Sequence, residues 1–224
     1  MKKLTYLLTL SFIPLVSCNK SSTYTVNKAQ FDRAIINEGK EYLQLESHGE
    51  KIQPNGKVRL QNGNDQCAPK VSHSYMEAHD QDQNEIPQFE ECFAKAISDT
   101  RYKYVKRDQS EPEYSDWEYD DISEDDCFYS QPKDRGLKAI LKREGINEVK
   151  YSDFSFNKED KQYHASYDFT NNYDTQLIEC DVQFINGYVT LVHIKIDYAD
   201  VGHTEEETTT FTYEKVIPEQ PIDD

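Results

Sequence analysis

The sequence predicts an α+β fold in which a C-terminal antiparallel β-meander of about five strands packs against helices supplied by the N-terminal half. Three observations carry that expectation. Beyond residue 149 apolar residues recur at every second position, as in Tyr163, Ala165, Tyr167 and Phe169 and again in Ile178, Cys180, Val182 and Phe184. A basic amphipathic helix is expected immediately upstream, over residues 134–144, with Leu137, Ile140 and Leu141 as its stripe. Earlier apolar residues keep a helical spacing, most clearly Phe89, Cys92, Phe93, Ala96 and Ile97. A helix laid across the one apolar face of a sheet buries both.

The chain opens with Met1-Lys2-Lys3, a short cationic start, and Leu4 to Val16 follow without a charge. This reads as an export signal, residues 1–17, and it is too short for a transmembrane helix, which needs about 20 apolar residues. Leu15-Val16-Ser17-Cys18 closes it and resembles the lipobox of bacterial lipoproteins. The resemblance implies cleavage before Cys18, a thioether lipid on its sulfur and an acyl group such as palmitate on its amine. More than one chain makes such an anchor stable, since each buried CH₂ contributes about 0.8 kcal/mol. Asn19 follows rather than Asp, which in enterobacteria-like sorting implies the outer membrane.

Residues 18–25 read as a lipidated tether and 26–130 as a helical and irregular acidic region. Ala29, Phe31, Ala34, Ile35 and Ile36 set a first helix that Gly39 stops. A short helical piece is expected at 41–45. Residues 47–68 read as loop, with turns at Pro54-Asn55-Gly56 and Asn62-Gly63-Asn64-Asp65 and a small strand at 57–61 between them. Helices are expected at 71–78 and 87–98, with Pro87 in a first turn. Residues 101–105 extend the second helix or begin a strand. Seven acids around Trp117 make 108–126 an exposed loop.

Residues 131–217 read as the basic helix, ended by Gly145, and then five strands: 149–156, 162–170, 176–184, 188–198 and 206–216. Residues 218–224 read as a disordered tail. The fourth turn carries a register expectation. A three-residue loop with Gly187 in a left-handed bulge pairs Phe184 with Tyr188 and Cys180 with Val192, whereas a two-residue Asn186-Gly187 turn pairs Phe184 with Val189; the former gives one consistent apolar face and is preferred. As layers, the arrangement is broadly similar to cystatin-like or NTF2-like architectures, a similarity that implies no function.

Removing the signal leaves 207 of 224 residues and, with Lys2 and Lys3 gone, takes the formal net charge from −17 to −19. Such a charge repels phosphate backbones, so nucleic acid is excluded as a partner; the bilayer through acylated Cys18 and a basic protein are the partners expected. Cys67, Cys92, Cys127 and Cys180 form an even set in an exported chain and point to disulfides. Four cysteines allow three pairings, of which Cys67–Cys92 with Cys127–Cys180 is the most local.

Catalytic patterns are missing: there is no GxSxG, HExxH or Gly-rich phosphate loop, and the six histidines are scattered. No catalytic residue and no cofactor is expected. Residues 80–91 resemble an EF-hand calcium loop at positions one, three, five and twelve, with Asp80, Asp82, Asn84, the Ile86 carbonyl and Glu91 as oxygen donors. Glu85 stands where that loop needs Gly, and Pro87 stands at the eighth position, so an acidic loop capping a helix is the preferred reading. The function expected is therefore a membrane-anchored, non-catalytic envelope lipoprotein with a binding role. The alternatives are an acidic immunity or inhibitor lipoprotein that neutralises a basic protein, and a weak calcium binder.

Overall fold

The computed structural model describes residues 22–80, 88–96, 102–109, 118–121, 130–170 and 175–219. Its core is a single antiparallel sheet of eleven strands, which corrects the α+β expectation: the fold is β-rich, with only two short helices among the described residues. The strands are β1 (Leu43–Ile52), β2 (Val58–Ala68), β3 (Val71–Asp80), β4 (Gln88–Ala96), β5 (Tyr102–Gln109), β6 (Glu118–Asp121), β7 (Ser155–Asn157), β8 (Gln162–Thr170), β9 (Thr175–Ile185), β10 (Tyr188–Tyr198) and β11 (His203–Thr212). Their spatial order is β6-β5-β4-β3-β2-β1-β11-β10-β9-β8-β7. Two meanders, β1–β6 and β7–β11, thus meet where the first strand pairs with the last, Leu45 opposite Phe211.

The C-terminal meander matches the alternation in the sequence, because one face is covered. Ile178, Cys180, Val182 and Phe184 of β9 are fully buried, and Val189, Val192, Ile194 and Ile196 of β10 lie beside them. The predicted register is corrected. Asn186 and Gly187 form a two-residue turn with φ of 55° and 82°, and Val189 pairs with Phe184. The bulge lies inside β10, between Val189 and Leu191, so that Ile194 rather than Val192 opposes Cys180. One extra residue switches the parity of the strand, which is how Val189 and Val192, three apart, both face the core.

Helix α1 (Lys28–Ala34) and helix α2 (Leu137–Arg143) lie on this inner face. Asn27 caps α1 with a reciprocal box to Gln30. Phe31 enters an aromatic cluster with Phe154, Tyr151 and Phe184 at centroid separations of 5.2, 5.4 and 5.6 Å. Leu137 and Leu141 are fully buried beneath α2, and Gly145 (φ 87°) follows its C-terminus. The helices touch through backbone: Lys138 N–H donates to the Ile35 carbonyl at 3.0 Å. A Cβ on Gly136 would stand 2.4 Å from that carbonyl oxygen, so only glycine admits the contact.

The N-terminal meander was not expected. The helices predicted at 41–45, 71–78 and 87–98 give way to strand: β1 begins at Leu43, β3 covers 71–78, and β4 runs Gln88–Ala96 within the third, whose remaining residues lie outside those described. The loop predicted at 47–68 is most of β1 and β2, and Asn62-Gly63-Asn64-Asp65 runs through the middle of β2 opposite Leu45 to His48. The acidic loop predicted at 108–126 contains the short strand β6, and its Trp117 lies outside the described residues. A small second cluster, Ala68, Val71 and Phe93 with Tyr42, sits on the outer face.

Candidate functional site: a polar groove between α2 and the sheet

Beside the apolar core, the inner face continues over β11, β1, β2 and β3 with small or polar residues. Ser47 and Gly49 of β1, Gly63 of β2, Ser74 and Ala78 of β3 and Thr209 of β11 form a low floor. Glycine inside a strand marks a place where something approaches the backbone closely. At Gly63 that neighbour is Ser47, whose Oγ lies 2.5 Å from where a Cβ would stand. Helix α2 overhangs this floor through Ile140 and Arg143 and leaves two adjoining cavities of about 630 Å³ each, which share Gln61, Met76, Glu90, Arg143 and Glu207.

Ion pairs rim the groove. Arg143 bridges Glu207 at 3.0 Å and Glu144 at 2.8 Å, and Arg135 lies 3.3 Å from Asp65. Lys51 pairs with Glu205, which also binds His203 at 2.8 Å. Burial alone would raise the Glu205 carboxyl, but hydrogen bonds from Lys51 and His203 outweigh it and hold the group below its ordinary range. Burial likewise opposes the charge on Arg143, and Glu207 with Glu144 overrides it. Asp65 behaves differently: burial raises its carboxyl despite Arg135. The groove thus presents fixed donors and acceptors around a shallow floor. Around it Arg143, Arg135 and Lys51 are committed to Glu207, Asp65 and Glu205. That arrangement suits holding a polar ligand.

The expected sites fall elsewhere. Cys18 and Cys127 lie outside the described residues. Cys67 and Cys180 are buried free thiols, which corrects their assignment to disulfides. Cys92 is disulfide-bonded to a residue outside the described set. The Cys67–Cys92 pairing fails on geometry: β3 lies between their strands, with Cys67 opposite Ser72 and Cys92 opposite Ser74. Two strand spacings are about 9.6 Å, and a disulfide needs Cα atoms within about 7 Å. Burial pushes the Cys67 thiol up to about 12 and the Cys180 thiol higher still, so both are inert core residues. The calcium donors are likewise separated. Asp80 pairs with Arg59, while Glu91 pairs with Tyr75 and binds His73 at 2.7 Å. Five residue steps along β3 separate those levels, roughly 17 Å, which no single ion spans. Asp82, Asn84 and Ile86 lie outside the described residues.

Three histidines line up on the outer face, which sequence reasoning missed because their spacing is cross-strand. His164, Asp181, His193, Thr208, His48 and Asn62 stand side by side across six strands. His164 meets Asp181 at 2.9 Å, His193 meets Thr208 at 3.0 Å and His48 meets Asn62 at 2.6 Å. Among the described residues no three His, Cys, Asp or Glu side chains are placed to hold a metal ion.

No protein-family model matches this chain, and no curated protein matches it. Among solved structures, a de novo designed transmembrane β-barrel aligns over 76% of this chain and 95% of its own, at 6% identity and a TM-score of 0.25. A likeness at that level carries no argument about fold or role. No helix among the described residues is long and apolar enough to cross a membrane, which says nothing of crossing by strands.

Proposed function

We propose that this chain is a bacterial lipoprotein anchored to the cell envelope through acylated Cys18, with a non-catalytic binding role served by the groove under α2. The observation that carries the reading is the opening segment: a cationic start, a short uncharged apolar run and Leu15-Val16-Ser17-Cys18. The packing of the residues just after the tether is consistent with it. Val26 is buried, its N–H donating to the Tyr163 hydroxyl at 2.9 Å, so the folded domain starts a few residues after Cys18. Asn19 favours the outer membrane where the sorting rule applies. Mass spectrometry of the mature N-terminus tests the reading. It predicts a chain starting at Cys18 with a diacylglyceryl group and an added acyl chain, and a Cys18→Ser variant that leaves the membrane fraction. An unmodified Cys18 in a membrane-free protein refutes it.

A second reading has its own support. The outer face carries Glu46, Glu50, Glu77, Asp168, Glu179, Asp181, Asp197 and Glu206 against Lys195 on strands β8 to β3. A flat acid-rich face suits capture of a basic protein, as an immunity lipoprotein captures a toxin. Such binding weakens as salt screens it. A complex whose affinity is indifferent to salt excludes this reading.

A further inference from the structure

The end of the sheet nearest the anchor has a composition of its own. The chain is pinned there at Thr23, whose carbonyl accepts from Asn186 N–H at 2.7 Å and whose N–H donates to Asn186 Oδ1 at 3.1 Å. Only Asn19, Lys20, Ser21 and Ser22 separate that point from Cys18. Five Cα steps reach at most about 17 Å. Strand β10, eleven residues long, extends roughly 35 Å away from the same turn. A lipid on Cys18 therefore keeps the Asn186 end beside the bilayer, with the far end some two tether lengths beyond it.

Around Asn186 the lysines lie over tyrosine rings. Lys40 Nζ is 3.3 Å from the Tyr188 centroid and 4.6 Å from that of Tyr213, and Lys161 Nζ is 4.8 Å from that of Tyr24. Lys215 Nζ lies 5.9 Å from the Tyr42 ring at the neighbouring strand ends. Tyr188 is 44% exposed. An exposed tyrosine ring such as that of Tyr188, beside lysine with an apolar stem and a charged tip, is the chemistry of the membrane–water interface. Glu38, Glu41, Glu159, Asp160 and Glu214 stand among these lysines, so the end is not cationic overall. Its affinity is interfacial rather than a response to anionic lipid.

We propose that this tyrosine–lysine rim around Asn186 rests on the phospholipid headgroup layer, so that the strands stand up from the membrane. The groove and the acidic outer face then stand along the walls of an upright domain, open to the surrounding compartment. The inference rests on the lipoprotein reading for the position of Cys18.

The test uses the full lipidated chain in phosphatidylethanolamine vesicles, with and without phosphatidylglycerol, containing lipids brominated near the headgroup. Trp117→Phe removes the only native tryptophan. Tyr188→Trp then reports from the rim, and Val201→Trp, an exposed position in the opposite β10–β11 turn, reports from the far end. The expected result is strong quenching at 188, none at 201 and no dependence on phosphatidylglycerol. A Gly/Ser spacer inserted before Ser22 keeps the quenching at 188 if the rim itself binds. Loss of quenching with the spacer, an unquenched 188 or equal quenching at both positions overturns the proposal. Flotation with the vesicles and the mass of Cys18 are read in the same samples. A floating, acylated protein with an unquenched 188 sinks the rim alone, whereas an unmodified Cys18 sinks the lipoprotein reading.

Discussion

Gly136→Ala should destabilise the protein by about 2–4 kcal/mol, far more than an exposed helix-entry position would suggest. The new Cβ would stand 2.4 Å from the Ile35 carbonyl oxygen and 3.1 Å from the Ile35 carbon and the Ile36 Cα. All three are backbone atoms, so no rotamer relieves the contact, and α2 must withdraw from the end of α1 by roughly 0.6–1 Å. The withdrawal breaks the Lys138 N–H bond to the Ile35 carbonyl. A lost hydrogen bond costs about 1 kcal/mol, a polar group left unsatisfied about 1–3 kcal/mol, and Leu137 and Leu141 lose packing as the helix moves. Urea unfolding followed by circular dichroism measures the difference. Gly39 serves as the comparison. It has φ of 74° and nothing within 4 Å, so Ala there costs only backbone strain of about 1–2 kcal/mol. Asn, which tolerates the left-handed region, should restore Gly39 but not Gly136. A Gly136→Ala protein within about 0.5 kcal/mol of the parent would refute the contact on which the reasoning stands.

Other expectations follow from single groups. The Tyr167 hydroxyl is buried with no hydrogen-bond partner among the described residues, so Tyr167→Phe should be neutral or stabilising by up to about 1 kcal/mol; a clear loss on thermal unfolding would reveal a partner for it. Cys67 and Cys180 should resist iodoacetamide in the native protein and react once it unfolds without reductant, and rapid native labelling would contradict their burial. Glu205 has a folded-state carboxyl held low, so its stabilisation is present above its unfolded value of about 4.3 and is lost as pH falls through the lower folded value. Glu205→Gln should therefore cost up to about 1 kcal/mol near neutral pH and little near pH 3; a penalty constant across that range would show that charge is not its source.

What the sequence made legible depended on which faces the fold covers. Strands β8, β9 and β10 could be read because α1 and α2 bury one face, and evolution of an apolar floor leaves a period of two. The bulge in β10 escaped because Val189 and Val192 each fit a simple alternation started from a different end. Strands β1 to β3 were illegible for the opposite reason: beyond the core their inner face floors a solvent-filled groove, so neither side needs an apolar series. The glycine and serine that make that floor, Gly63 with Asn62 and Asn64 beside it, look like a turn when read alone. In β4, Cys92, Phe93 and Ala96 keep a spacing that a helix would also produce. The histidine row was invisible because its members come from strands that only the sheet brings together. Local cysteine pairing failed since closeness in the chain is not closeness across β3.

The pairing of β1 with β11 joins residues as far apart as Gln44 and Thr212, a separation of 168. Between two meanders, that seam has the highest contact order in the molecule, and loop-closure entropy delays it until the last strand has been synthesised. A chain leaving the ribosome therefore carries half-sheets with an unzipped edge instead of a finished domain. On the proposed lipoprotein reading, late closure would keep the chain pliable until it has crossed the membrane.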